Sequence, residues 1–236
     1  MKKYGPQSVV NMAKKLGIQN EIKAYPSICL GTFDLSVFEM VGAYGTFANK
    51  GIWVEPIFIS KIEDKLGNMI EEFIPKRTEA ISEQSAIGMV KLMQGVVDGV
   101  RNEKLIHPKT GKQGITTGTG RRLRFRYKLK GEICGKTGTT QNNSDGWFMG
   151  FTPELVNGVW VGCEDRSAHF RTTDLGQGAN MALPIWALYM QKVYADSSLN
   201  YIDEGSIFKL PEQELTIDID CKKEKTKSSG FNEFEF

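Results

Sequence analysis

Residues Gly135-Lys136-Thr137-Gly138-Thr139-Thr140 place one amine, three hydroxyls and two glycines side by side. Two chemistries call for such a set: the wrapping of a phosphate by backbone amides, or assistance to an acyl transfer. The phosphate reading fails on spacing. A phosphate-binding loop of the form G-x-x-x-x-G-K-[ST] needs its first glycine five residues before the second, so that successive amides curl round the anion. Lys130 holds that position, and Gly131 is one residue too close. Ile133 and Cys134 read as strand, and Gly138 with the following Gln-Asn-Asn-Ser-Asp-Gly run stops any helix from starting after Thr137.

The acyl-transfer reading fits better. Lys-Thr-Gly at the end of an apolar strand is one of three elements, with S-x-x-K and S-x-N, of the serine acyltransferases that react with penicillin. A second copy, Lys109-Thr110-Gly111, lacks an apolar strand before it and is set aside. The copy at Lys136 runs on into "SDGWFMGFTP" and then "GVWVG", which read as the next two strands of a meander. With "AKKLGI", "LGTFDLSVFEMVGAYGTFANKG", "GTGRRLR" and "LPIW" in this order, the chain resembles the transpeptidase domain of class A penicillin-binding proteins over roughly residues 4–221.

The resemblance implies a serine that attacks the penultimate D-alanine carbonyl of a peptidoglycan stem peptide, and an amine from a neighbouring stem that resolves the acyl-enzyme into a cross-link. It assigns Lys136 and Thr139 to catalysis, and Thr137, Gly138, Thr139 and Thr140 to substrate binding. Lys136 supplies positive potential, the Thr137 and Thr139 hydroxyls meet the substrate carboxylate, and the Thr139 N–H is half of an oxyanion hole. Gly138 lets a substrate lie close if its strand is a sheet edge. The implied partners are stem peptides, β-lactams and other cell-wall synthesis proteins, with no metal, no organic cofactor and no nucleic acid. The implied location is the outer face of the cytoplasmic membrane, through an N-terminal anchor outside this chain.

The serine itself is missing where the resemblance places it. Upstream of Lys136 no serine has a lysine three positions on or an asparagine two positions on. Ser198-Leu199-Asn200 and Ser206-Ile207-Phe208-Lys209 satisfy the two patterns downstream, in reversed order. Pro211 disfavours helix at the residue before it, so Ser206–Lys209 is not expected to form the helical turn that aims a lysine at its serine. The expectation is therefore a C-terminal portion of the domain over 1–210 with an extension over 211–236, partly disordered, catalytically inert alone and with an uncovered sheet edge. The alternative is a non-catalytic relative that binds stem peptides or a partner protein.

The elements that must position these residues read as helices first and an antiparallel sheet later, an α+β order with a closing helix. Val9, Ala13 and Leu16 make one helical face before Gly17. Ser36 and Glu39 form a capping box ahead of a stripe through Val37, Met40, Val41, Tyr44 and Phe47. Strands are expected at 57–62 and 69–74 around a "DKLGN" turn, and Ser82 caps a helix ending at Gly99. Residues 101–120 read as a long mobile loop, and "RRLRFRYKLK" as an amphipathic strand. The final helix is expected at about 182–194, with Pro184 in its first turn.

Composition excludes several other classes. A net charge of +2 over 236 residues implies no polyanionic partner, although ten Lys/Arg and one acid fall between Arg101 and Lys130. Cys29, Cys134, Cys163 and Cys221 are widely spaced and only His107 and His169 are present, so zinc-site spacing is missing. Glu164 and Asp165 are neighbours, which puts them on opposite sides of a strand and rules them out as a glycosidase pair.

Overall fold

The apolar stripes close on three clusters, and the two faces of one small sheet organise two of them. The computed structural model describes residues 3–106, 111–199 and 203–209. His107, Lys109, Thr110, Asn200, Cys221 and the extension expected over 211–236 lie outside the described residues.

Helix α1 (Gly5–Lys15) is followed by α2 (Val37–Ala48). The capping box forms as its sequence spacing requires: Glu39 N–H donates to Ser36 Oγ at 3.2 Å, and Ser36 N–H donates to Glu39 Oε2 at 3.1 Å. The other Glu39 oxygen accepts the amides of Gln19 and Asn20, tying the segment after α1 to the start of α2. Val10, Ile18, Ile22, Ile28 and Ala43 make the core between them.

Four short strands follow. β1 (Ile52–Val54) pairs with β4 (Arg77–Glu79), and β2 (Lys61–Glu63) with β3 (Met69–Glu72), across the Asp64–Asn68 turn. Residues 57–60 are not strand, so the first expected strand shortens to β2. The β1–β4 pair carries no clean period-2 signal and is missed by the sequence. Phe58, Leu66 and Ile74 are each more than 80% exposed, leaving an apolar surface on this ribbon.

Helix α3 (Glu83–Asp98) starts where Ser82 accepts the Ser85 amide. The expected loop at 101–120 is a hairpin instead, β5 (Val100–Ile106) with β6 (Gln113–Thr117). Few apolar residues mark it in the sequence, and backbone pairing joins the two strands. The expected strand at "RRLRFRYKLK" is a helical turn, α4 (Arg122–Phe125), followed by irregular chain. Leu123 and Leu129 are buried, whereas Phe125 is exposed. Arg124 is spent on Asp98 and on the carbonyls of Leu129 and Gly131.

The main sheet is a meander of β7 (Cys134–Thr139), β8 (Asp145–Phe151) and β9 (Val156–Gly162), all antiparallel. Helices α5 (Thr173–Gly176) and α6 (Gly178–Ala195) follow. Helix α6 begins four residues earlier than its expected start at 182, so Pro184 lies inside the helix and not in its first turn. One sheet face packs Phe148 against Trp186, Leu183 and Met190 of α6. The opposite face packs Cys134 and Phe151 against Val90 and Met93 of α3, with Tyr44 and Phe47 of α2 beside them.

Trp186 is fully buried and meets the Phe148 ring edge-on at 5.3 Å between centroids. Trp186→Ala is expected to destabilise the fold by about 3–5 kcal/mol in urea unfolding. Partial burial pushes the Glu39 carboxyl up, but the amides of Asn20, Ser36 and Gln19 and the Ser36 hydroxyl together hold it below its ordinary value of 4.5. A depressed carboxyl stabilises the fold above its unfolded pKa, and that contribution is lost as pH falls through the folded one. The urea midpoint is therefore expected to drop as pH falls below about 4.5, and Glu39→Gln to flatten that part of the profile.

Candidate functional site

β7 carries all of Lys136, Thr137, Gly138 and Thr139, and Thr140 follows directly. Its register pairs Lys136 with Met149, Gly138 with Trp147 and Thr139 with Gly146. Thr140 N–H donates to the Asp145 carbonyl at 3.1 Å. Antiparallel hydrogen bonding alternates along a strand. In this register the amides and carbonyls of Lys136 and Gly138 therefore turn toward β8, and those of Thr137 and Thr139 turn outward. Among the described strands none pairs with that outer side, so β7 is a sheet edge.

Side chains alternate as well. Lys136 and Gly138 lie on the face toward α2 and α3, and Thr137 and Thr139 on the face toward α6. The Lys136 side chain is exposed, and its Nζ folds back to donate to the Thr137 carbonyl at 2.6 Å. No carboxylate among the described residues pairs with it. Gly138 is tightly placed even without a side chain, since a Cβ there would stand 3.0 Å from Trp147 Cβ.

The threonines divide into different roles. Thr137 donates its hydroxyl proton to Thr119 Oγ1 at 2.8 Å, and Thr119 lies in the Gly-Thr-Gly turn between β6 and α4. Thr139 Oγ1 accepts the Gly178 N–H at 3.0 Å, so this hydroxyl caps the start of α6 from another element. Arg122 reinforces the same junction by donating to the Ala179 carbonyl at 3.1 Å. Gly178 is needed there because a Cβ would run into the Gly138 carbonyl oxygen. Thr140 Oγ1 accepts the Asp145 amide at 2.9 Å and lies 3.0 Å from Ser144 Oγ, closing the turn after β7. That turn holds Asn142 and Asn143 at φ of 63° and 56°, a conformation asparagine tolerates.

The structure thus brings Lys136, Thr137 and the outward Thr139 amide together on one edge. The Thr140 hydroxyl is used within its turn, donating to the Asp145 carbonyl at 3.1 Å, whereas Thr139 Oγ1 only accepts and keeps its proton to donate. Sequence reasoning missed Thr119, whose only signal was a hydroxyl flanked by two glycines, and missed the Thr139–Gly178 cap, which joins residues far apart in the chain.

The other candidates stand apart. Ser206 follows a turn at 204–205 in the segment 203–209, which runs beside Lys130, Gly131 and Glu132. These residues precede the start of β7 at Cys134, and none of residues 136–140 lines the cleft that they form with Ser206. Ser206–Lys209 is not helical, and Ser198 is exposed with its hydroxyl on Asp196. Asp165 is exposed and held below the usual carboxylate range by the Ser167 amide and hydroxyl, and His169 is an exposed loop residue. No cluster of metal-ligating residues occurs among the described residues. A cleft of about 780 Å³ opens between α2, α3 and Phe208, but none of residues 136–140 lines it.

Comparison with known proteins agrees with this architecture. Residues 3–164 match the penicillin-binding protein transpeptidase domain. The chain is 33% identical over 223 residues to penicillin-binding protein 1A of Aquifex aeolicus, covering 93% of this chain and 26% of that protein. It is 34% identical over 187 residues to penicillin-binding protein 2D of Bacillus subtilis, covering 79% and 24%. The chain thus spans about a quarter of the length of these curated relatives. The fold is like that of penicillin-binding protein 1A from Haemophilus influenzae, with a TM-score of 0.67 at 23% identity, over 90% of this chain and 32% of that one. PonA1 of Mycobacterium tuberculosis, solved in complex with penicillin V, superposes with a TM-score of 0.62 at 21% identity, over 88% and 53%.

Removing the Thr139 hydroxyl leaves the buried Gly178 amide without a partner. Thr139→Val is expected to cost about 1–3 kcal/mol in urea unfolding, with Thr139→Ser close to the parent.

Proposed function

Because the chain belongs to the penicillin-binding protein transpeptidase family, we propose that its uncovered β7 edge binds the D-alanyl-D-alanine end of a peptidoglycan stem peptide. The observation that carries this is the exposed Lys136 amine. It has no carboxylate partner among the described residues and sits on an unpaired strand edge beside Thr137. An ammonium next to hydroxyl and amide donors suits a terminal carboxylate. An extended peptide can also take the outward amide and carbonyl groups of an edge strand.

In the complete transpeptidase reaction, a serine hydroxyl adds to the penultimate D-alanine carbonyl and the terminal D-alanine leaves as the amine. A neighbouring stem then releases the acyl group as a cross-link. The role proposed for Lys136 is to hold positive potential at the carboxylate and at the departing amine. The role proposed for the Thr139 amide is to donate to the oxyanion as it forms. Penicillins, which carry a carboxylate beside a reactive amide, are proposed ligands of the same edge. The reaction would take place outside the cytoplasmic membrane. No helix among the described residues is long and apolar enough to cross a membrane.

Upstream of Lys136 this chain holds neither S-x-x-K nor S-x-N. Our reading is therefore that these residues by themselves bind and do not acylate. Chemical-shift titration with N-acetyl-L-lysyl-D-alanyl-D-alanine is expected to show saturable binding that weakens about tenfold in Lys136→Met. Intact-mass measurement after incubation with excess penicillin is expected to show no adduct. A stable adduct on Ser206 or Ser198, or unchanged peptide affinity in Lys136→Met, would overturn the reading.

A further inference from the structure

Thr137 and Thr119 are hydrogen-bonded to each other, and this limits what either can offer an anion. A carboxylate only accepts hydrogen bonds, and each threonine hydroxyl has one proton. Two hydroxyls bonded together use one proton between them and leave one to donate. The Thr137 proton is spent on Thr119 Oγ1. The proton still available is therefore that of Thr119, which is also the exposed member of the pair, whereas Thr137 is half-buried.

The backbone around Thr119 holds it in place. Gly120 N–H donates to the Val96 carbonyl at the end of α3 at 2.9 Å, and Arg121 donates to the Thr116 carbonyl at 2.9 Å. Gly118 sits at φ 139° against Val96 and Gly99, where a side chain would clash. The turn is thus anchored on both sides of a hydroxyl that points at the β7 edge.

We propose that Thr119 is a hydroxyl donor to the terminal carboxylate of the peptide, with Thr137 behind it as the positioning residue that orients the Thr119 proton outward. This rests on the reading of the β7 edge as a carboxylate site. It makes the turn between β6 and α4 a specificity determinant for a free acid over a neutral terminus.

The test compares N-acetyl-L-lysyl-D-alanyl-D-alanine with its C-terminal amide by chemical-shift titration on the full 236-residue chain. The parent is expected to prefer the acid. Thr119→Val is expected to reduce the acid-to-amide ratio about tenfold, the scale of one hydrogen bond to a charged group. Thr119→Ser, which keeps the hydroxyl, is expected to restore it. The Thr119→Val/Thr137→Val double variant is expected to lose little more than Thr119→Val, because both changes break one relay. Thr119→Ala serves as a second probe of the same loss. An undiminished ratio in folded Thr119→Val and Thr119→Ala would overturn the role of Thr119 and leave the carboxylate site standing. A parent that binds acid and amide equally would overturn the site itself, and this inference with it.

Discussion

The hydrogen bond from the Gly178 amide to the Thr139 hydroxyl is the contact on which the geometry of the β7 edge depends. It locks the first turn of α6 onto the strand that carries Lys136. The lock requires close approach, which Gly178 provides by lacking a side chain over the Gly138 carbonyl, and Gly146 by leaving room for Gly178. Helix α6 then lies along the sheet and buries Trp186 on Phe148. On the other face α3 covers Cys134 and Phe151, and the end of α3 holds the Thr119 turn. The edge is rigid because both faces behind it are packed, and it is accessible because no described strand covers it.

Much of this could be read from the residues. Ser36 and Glu39 predicted a capping box because both partners lie within one turn, and the bond geometry confirms it. The β7–β9 meander was legible from apolar segments separated by "QNNSDG" and "TPELVNG", whose turn chemistry is local. What failed was whatever depends on distant partners. Among the described side chains of β5 and β6 none is buried, so hydrophobic pattern could not reveal the pairing. The alternation of "RRLRFRYKLK" suggested a strand, but Leu123 and Leu129 reach the core from a helical turn and from irregular chain, so burial at similar spacing misled.

The candidate site divides the same way. Lys136-Thr137-Gly138 was legible because it is contiguous on one strand. The division of labour among the threonines was not, because each hydroxyl is assigned by a residue outside the motif: Thr119 for Thr137 and Gly178 for Thr139. A motif names residue types, and tertiary contacts decide which of its protons and lone pairs remain free.

The cap at Gly178 has an electrostatic consequence as well. An eighteen-residue helix concentrates roughly half a positive charge at its N-terminus, and here that end abuts Thr139, directly behind the strand edge. This potential comes from aligned peptide dipoles, so unlike an ammonium it cannot be titrated away. The strand edge thus has a background attraction for anions that is the same at every pH at which the fold persists, on which the lysine charge is superimposed.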